Sequence, residues 1–195
     1  REKGSFIKDG ATYTRNEKQE GVKGNEGKVG FAEGVVVPFT YKLMEAQKTQ
    51  PSHQDGILNN EHFISEAQPK DRTDQATIKA EDKFATDPRF EEMGENTNAY
   101  SGAPIVNERG EVIQGNNRVA GLRKGYNRNV TTYKEALAEN AEQFGFTREQ
   151  VEAMENPILV REVAVEDQEA IILGNYDAKD LESGTKGFID ATTIV

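Results

Sequence analysis

The sequence predicts an α/β domain, because segments typical of short strands alternate with segments typical of amphipathic helices. An apolar segment, 103–106, a glycine-containing turn and a second strand-like segment, 111–114, together predict a β-hairpin. The β-branched segment 158–165 predicts a further strand. Boxes of the Thr-x-x-Glu/Gln type at 132–135 and 147–150 predict helix starts. With 195 residues, the chain is long enough for one domain with its own core.

The N-terminal part of the chain divides into segments of different composition. Residues 1–34 are rich in glycine and in charges of both signs, which predicts a flexible arm or an irregular β addition. The segment 35–45 is β-branched and aromatic, which predicts a core strand, with Pro38 confining part of it to a sheet edge. The segment 50–56 is turn-rich and carries His53, one of two histidines in the chain. The main domain is therefore expected to begin with the strand at residue 35.

Five segments combine a capping residue with apolar residues at helical spacing, and each predicts a helix. These helices are expected to begin at Thr73 or Asp74, at Asn116 as N-cap, at Thr132, at Thr147 and at Asp167. Their expected ends are Asp87, Gly125, Gly145, Asn156 and Leu173. The fourth helix carries Glu149, Glu152 and Glu155. Because phosphates repel these carboxylates, the helix is not expected to read DNA as part of a helix-turn-helix.

Composition limits the classes of partner. The net charge of −10 argues against a broad surface for nonspecific nucleic-acid binding, so contact with DNA is expected only at a local basic patch. No apolar run approaches the length that spans a membrane, so a membrane is not an expected partner. The absence of cysteine excludes disulfides and thiolate metal sites and fits an intracellular, cytoplasmic protein.

Gly115 follows the predicted hairpin and precedes the helix expected from Asn116, so the chain turns from strand to helix at this glycine. A helix N-terminus carries N–H groups without intrahelical acceptors and the positive end of the helix dipole, which together favour an anion. Arg118 lies in the first turn and Arg123 about a turn further on, and a guanidinium binds phosphate through a forked pair of donors. The pattern indicates a phosphate site. The alternative is a hairpin packed on a helix, with Asn116 as a cap and both arginines solvated.

The order of several short motifs resembles the ParB/sulfiredoxin superfamily. Within it, the chain is most similar to the DdrB-like ParB domain of large polyvalent proteins from phages and mobile elements. The motifs that carry this resemblance are Ser52-His53, the box from Gln68-Pro69 to Arg72, the strand from Gly102 to Val106, and Gly115-Asn116-Asn117-Arg118. The resemblance covers about residues 36–181. It implies a small mixed sheet flanked by helices, with 35–182 as the ParB-like domain and 183–195 as a C-terminal extension or boundary.

The resemblance also implies which residues hold phosphate. One wall of the pocket would consist of Gly115, Asn116, Asn117, Arg118 and Arg123. In ParB-type proteins a similar Gln-Pro-Arg box reaches the phosphates from across the pocket. This assigns Gln68 and Arg72 to the opposite wall, with Lys70 as a substitute. The implied ligands are a nucleoside triphosphate (CTP or ATP), Mg²⁺ and the phosphates of DNA.

Two departures from the family pattern limit the chemistry. Chromosome-partitioning ParB proteins carry a Glu-Asn-x-x-Arg box that helps to hold metal and triphosphate. Here Asn175 matches, but Gly174 and Ala178 replace the glutamate and the arginine, so no residue is assigned as a metal ligand. Asp177 is a candidate to replace the missing carboxylate. Sulfiredoxins place a reactive cysteine in their version of the Gly115 turn, and a chain without cysteine cannot perform that reduction.

Three functions follow from this pattern. The first is a nucleotide-binding module within a larger phage or mobile-element protein that acts on DNA. The second is a metal-dependent nuclease, in which the same arginines hold a backbone phosphate and a catalytic residue activates water. The candidates for that residue are His53, Asn175 and Asp177, although a lone loop histidine is more often solvated or bonded to the backbone. The third is an interaction module with a vestigial pocket.

Overall fold

The computed structural model describes residues 5–8, 10–59 and 74–176. The strands of this part are β1 Ser5–Lys8, β2 Ala11–Thr14, β3 Val22–Gly30, β4 Val36–Glu45, β5 His53–Gln54, β6 Ile57–Leu58, β7 Ile105–Val106, β8 Val112–Gln114 and β9 Pro157–Glu162. The helices are α1 Gln75–Thr86, α2 Asn116–Asn127, α3 Thr132–Glu139, α4 Arg148–Glu152 and α5 Asp167–Asn175. Within these residues, no helix is long and apolar enough to cross a membrane.

A five-stranded mixed sheet organises the molecule, in the order β3-β4-β9-β7-β8. Strand β9 pairs antiparallel with β4 and parallel with β7, where Ile105 lies opposite Arg161. The hairpin predicted from the segments around the 107–110 turn is formed by β7 and β8. Helices flank this sheet, which confirms the predicted α/β class with a small mixed sheet.

Burial explains why β9 and β4 lie in the middle of the sheet. Five of the six residues of β9 are buried, as expected for a central strand with a continuous apolar run. Strand β4 pairs with β9 only from Thr40 onwards. Pro38 therefore lies in the part of β4 that pairs with β3 alone. This half of β4 therefore has a partner on one side only. Pro38 is tolerated there because the N–H group that proline lacks is not needed for pairing with β9.

The N-terminal segment contributes to the sheet before residue 35. Strand β3 forms one edge of the five-stranded sheet, and β1 pairs with β2 in a separate hairpin. Along much of β3, exposed residues alternate with partly buried ones. An edge strand with one exposed face tolerates polar residues, which agrees with the mostly polar sequence of β3. Arg15 joins this segment to the rest of the fold through ion pairs with Glu111 at 2.5 Å and Asp167 at 2.7 Å.

The structure confirms some predicted helix starts and moves others by one residue. Asp74 caps α1, and its carboxylate accepts a hydrogen bond from the Thr77 N–H at 2.7 Å. Thr147 caps α4 in the predicted capping box. The box predicted at 132–135 is not formed: Thr131 rather than Thr132 occupies the N-cap of α3, and no side chain caps this helix. The Thr131 hydroxyl donates instead to the Glu135 carboxylate at 2.9 Å. In the same way, Glu166 rather than Asp167 occupies the N-cap of α5.

Helix α2 extends beyond the predicted end at Gly125, and its glycines face α1. The helix ends at Asn127, and Asn129 then adopts a left-handed conformation with φ 59°. A Cβ atom on Gly121 would lie 2.8 Å from the Cβ of Phe84, and one on Gly125 would lie 2.9 Å from a backbone oxygen of α1. These two glycines allow α1 to pack closely on α2. The prediction that Gly125 ends the helix was wrong. This glycine lies within α2, where the absence of a side chain allows α1 to approach.

Candidate functional site

The turn at Gly115 leaves the N-terminus of α2 without a side-chain cap. Gly115 occupies the N-cap position with a φ of 98°, and no side chain caps the helix. A Cβ atom at this position would lie 2.9 Å from Arg118 Nη2 and 3.1 Å from Pro104 Cβ. Glycine is therefore favoured both by the backbone angle and by the side chains that cover the turn. The first N–H groups of α2 have no intrahelical acceptor, as at any helix start.

Asn116 was predicted to be the N-cap of α2, but Gly115 occupies that position. Its side chain is buried, and Oδ1 accepts a hydrogen bond from the Ser52 backbone N–H at 2.7 Å. Because this oxygen is engaged by a residue 64 positions earlier in the chain, it cannot cap its own helix. Asn116 instead attaches the Ser52-His53 segment to the start of α2.

Arg118 places a cation over the same turn. Its guanidinium folds back towards Gly115 and donates a hydrogen bond to the Gly102 carbonyl oxygen. Within the described residues, no carboxylate lies within the 4.0 Å that defines an ion pair with it. Burial lowers the pKa of Arg118 to about 10, and the more distant Glu92 opposes this shift only in part. The start of α2 therefore combines a positive helix end with a cation that has no ion-pair partner among the described residues.

A cleft of about 430 Å³ opens beside Arg118 and Asn117. Helix α1 contributes Lys83 and Phe84 to its lining, and the segment after α1 contributes Asp87, Arg89 and Glu92. Arg89 is paired with Glu92, so Arg118 and Lys83 supply the cations without an ion-pair partner among the described residues. The cleft is large enough for several phosphate groups and is adjacent to the uncapped N-terminus of α2.

The structure brings His53 to the Gly115 turn. The His53 ring is buried, with Nε2 2.9 Å from Asn117 Oδ1 and Nδ1 3.2 Å from the Ser52 hydroxyl. His53 is therefore not a solvated loop histidine. Two of the motifs that carried the resemblance, Ser52-His53 and the Gly115 turn, are in direct contact.

Glu81 is a buried carboxylate that the sequence analysis missed. It accepts hydrogen bonds from Gln54 Nε2 at 2.8 Å and from the Asp55 N–H at 3.0 Å. Its Oε2 lies 3.8 Å from His53 Nε2 and has no hydrogen-bond partner among the described residues. Burial raises the pKa of Glu81, against the effects of the Asp55 N–H and of Lys124. Glu81 and Ala85, four residues apart on α1, are the two buried residues of this helix.

Arg161 is a second residue that the sequence analysis missed. It is the fifth of the six residues of β9 and has no exposed surface, and its guanidinium donates to four backbone carbonyls. Those acceptors are the oxygens of Ala103 at 2.7 Å, Asn96 at 2.9 Å, Asn98 at 3.1 Å and Ser101 at 2.6 Å. The loop held in this way also contains Gly102, the acceptor for Arg118. Burial and the charge of Arg118 lower the pKa of Arg161 to about 9.

Arg118 and Arg123 do not line the same cavity. Arg123 donates to the Thr49 carbonyl oxygen at 3.0 Å and lines a cavity of about 440 Å³ together with His53 and Gln54. Arg118 lines the cleft next to α1. The two arginines were expected on one phosphate wall, but they are separated because residues five apart on a helix point in different directions.

The remaining predicted site residues have different outcomes. Gln68, Lys70, Arg72 and Asp177 lie outside the described residues. Asn175 is exposed at the end of α5. The end of this helix is attached to the residue before the turn, because Gln114 Nε2 donates to the carbonyl oxygens of Leu173 at 2.9 Å and Tyr176 at 2.8 Å. In the described part of the chain, no group of three or more histidines and carboxylates could hold a metal ion.

Comparison with known proteins supports the resemblance. The family model described as the ddrB-like ParB superfamily domain matches residues 32–164, which is more than half of the chain. The matched range contains the Ser52-His53 segment, the Gly115 turn and β9, and it ends before α5. Searches of curated proteins and of solved structures gave no match.

Proposed function

The chain belongs to the ddrB-like ParB superfamily, and on that premise we propose that its Gly115 turn binds the phosphates of a nucleotide or nucleic acid. The observation that carries this proposal is Arg118. Its guanidinium covers the uncapped N-terminus of α2, and no described carboxylate forms an ion pair with it. A partly buried cation without a counter-ion is costly unless an anion binds there. Phosphate fits both the guanidinium and the free N–H groups of the helix.

The proposed ligand is a nucleoside triphosphate, CTP or ATP, with Gln68 and Arg72 on the opposite wall. Mg²⁺, if it accompanies the nucleotide, would be held chiefly by phosphate oxygens and water, because the family glutamate is replaced by Gly174. We further propose that the domain works in the cytoplasm, as part of a larger phage or mobile-element protein that acts on DNA.

A second candidate function is hydrolysis of a phosphodiester, favoured by the buried pair of His53 and Glu81 beside Asn117. Nε2 of His53 is 3.8 Å from the Glu81 carboxylate, and the ring contacts the first turn of α2. In such a reaction Nδ1 of His53, 3.2 Å from the Ser52 hydroxyl, would be the nitrogen that accepts the proton, because Nε2 faces Asn117 Oδ1 and Glu81. Dependence on a divalent metal distinguishes the two functions, since the nuclease should require the metal and phosphate binding need not.

The proposal predicts that a triphosphate stabilises the native chain and not Arg118→Ala. Thermal unfolding is followed with each nucleoside triphosphate and with inorganic triphosphate, with and without Mg²⁺. A ligand at 100 times its dissociation constant should add about 2.7 kcal/mol to the free energy of unfolding, provided that it binds only the folded state. Arg128→Ala is the matched control, because Arg128 lies at the other end of α2 and pairs with Asp82 at 3.0 Å.

Equal stabilisation of the native chain and of Arg118→Ala would show that the anion binds elsewhere. If no triphosphate stabilises the native chain, the turn is not a nucleotide site. If single- and double-stranded DNA also fail to bind, the vestigial interaction module becomes the better description.

A further inference from the structure

The side-chain amide of Asn117 has one end engaged and one end unused. Its oxygen, Oδ1, lies 2.9 Å from His53 Nε2, while its NH₂ group has no acceptor among the described residues. Asn117 also lines the cleft beside Arg118. Because Oδ1 is held towards His53, the NH₂ group is the end of the amide that remains for the cleft. A phosphate oxygen accepts a hydrogen bond from an NH₂ group, whereas it would be repelled by an amide oxygen in the same place.

The orientation of this amide depends on which nitrogen of His53 carries a proton. An amide oxygen only accepts, so the contact with Asn117 is a hydrogen bond only when Nε2 is protonated. With the proton on Nδ1 alone, Nε2 is an acceptor and favours the reversed amide, with its oxygen in the cleft. The Ser52 hydroxyl, 3.2 Å from Nδ1, can donate or accept and therefore fits either form of the ring. Another group must keep the proton at Nε2.

The buried carboxylate of Glu81 is suited to this task. Neither Glu81 nor His53 has exposed surface, and Glu81 Oε2 lies 3.8 Å from His53 Nε2. Glu81 Oε1 accepts hydrogen bonds from Gln54 and from the Asp55 N–H, and Lys124 Nζ is 3.8 Å away, all of which favour the ionised carboxylate. Oε2 has no hydrogen-bond partner among the described residues. A negative charge beside Nε2, in surroundings without water, favours a proton on that nitrogen.

We propose that Glu81 and His53 are positioning residues of the phosphate site. Glu81 holds a proton at Nε2 of His53, and this proton holds Asn117 Oδ1 away from the cleft. The NH₂ group of Asn117 then donates to the phosphate together with Arg118 and the N–H groups at the start of α2. Neither positioning residue touches the ligand. The inference rests on the proposed phosphate site, and it extends that site to a buried pair contributed by α1 and β5.

Affinities for inorganic triphosphate, measured by isothermal titration calorimetry, test whether Glu81 acts through Asn117. Asn117→Ala removes the donor and should weaken binding about tenfold, the usual effect of losing a hydrogen bond to a charged group. Glu81→Gln preserves the shape of the side chain and should weaken binding in the native background, but not in the Asn117→Ala background. A purely structural role would weaken binding in both backgrounds equally. A general charge effect has the opposite sign, because removing a carboxylate strengthens the binding of an anion.

Asp82→Asn is the matched control for Glu81→Gln. Asp82 also lies on α1 and pairs with Lys124 at 2.6 Å, but its side chain is 43% exposed and it forms no ion pair with His53. This variant should not weaken the binding of triphosphate. His53→Gln keeps an N–H donor near the position of Nε2 and should retain most of the affinity, whereas His53→Leu should lose about as much as Asn117→Ala. Urea denaturation establishes that each variant is folded.

The position of the proton is read from the ¹⁵N resonances of the imidazole ring, recorded above the pH at which histidine is ordinarily protonated. The chain has two histidines, and the signals of His53 are those that disappear in His53→Gln. In the native chain we expect a protonated Nε2 and an unprotonated Nδ1. In Glu81→Gln we expect a shift of the proton towards Nδ1, which a merely structural role of Glu81 would not produce.

The outcomes separate this inference from the phosphate proposal. If triphosphate binds in an Arg118-dependent way and Asn117→Ala binds it equally well, the inference is overturned while the phosphate site stands. A native ring protonated at Nδ1 alone, or equal losses from Glu81→Gln in both backgrounds, would overturn the positioning role in the same way. If the native chain binds no triphosphate, the phosphate proposal falls and this inference falls with it.

Discussion

Arg15→Ala should lower the free energy of unfolding by about 3–5 kcal/mol, because it leaves a buried carboxylate without its cation. Arg15 is 8% exposed and Glu111 is 1% exposed, and their closest side-chain atoms are 2.5 Å apart. After the substitution, the hydrogen bond from Asn107 Nδ2 at 2.9 Å remains, but a neutral donor does not replace a guanidinium. The change also releases the N-terminal segment from Asp167 on α5.

Urea denaturation of three variants measures this effect. The double variant Arg15→Met/Glu111→Leu should recover most of the loss, because it removes both charges together. Lys18→Ala is the control for an exposed ion pair, since Lys18 and Glu108 are 52% and 40% accessible, and it should cost less than about 1 kcal/mol. A loss below about 1 kcal/mol for Arg15→Ala would contradict the structural role assigned to this pair.

Arg161→Met should lower the free energy of unfolding by about 3 kcal/mol or more. Removing a buried charge can stabilise a protein when its partners are removed as well, but here four backbone carbonyls would lose their donor. Each hydrogen bond to a charged group contributes about 1.5–3 kcal/mol, which exceeds the gain from burying an apolar chain instead. Triphosphate binding should weaken too, since the loop held by Arg161 positions the acceptor for Arg118.

Arg161→Lys is the matched control for this prediction. An ammonium group offers three donors where the guanidinium offers five, so the lysine variant should be intermediate in stability. Urea denaturation and triphosphate titration are carried out on both variants. A methionine variant as stable as the native chain would show that the loop from residue 96 to residue 103 holds its conformation without this arginine.

Local signals in the sequence were sufficient to predict the class of fold. The hairpin before Gly115, the cap at Asp74 and the capping box at Thr147 each depend on residues a few positions apart, and all three are present. Strand β3 was not predicted as part of the sheet, because its polar sequence fits an edge strand as well as a flexible arm. The end of α2 was misplaced because Gly125 serves helix packing, which depends on α1 rather than on local sequence.

The site could be predicted only where one stretch of chain defines it. Gly115 and Arg118 are close in sequence, and the structure places the guanidinium over the turn. The contact of His53 with Asn117 depends on how distant segments pack, and so does the position of the Glu81 carboxylate. The separation of Arg118 from Arg123 follows from their spacing of five residues on one helix. The charge of Arg161 directly after the apolar residues 157–160 was visible in the sequence, but its role in holding a loop was not.

The measurement that tests the central claim most directly is a titration of the ¹⁵N-labelled chain with inorganic triphosphate, followed by NMR. We expect the backbone amide resonances of Asn116, Asn117 and Arg118 to shift with one common dissociation constant, because the proposed phosphate would lie against their N–H groups at the start of α2. The same amides should not respond in Arg118→Ala. Shifts confined to other basic positions, such as Lys23 and Lys28 of β3, with unchanged amides at the start of α2, would contradict the assignment of this turn as the phosphate site.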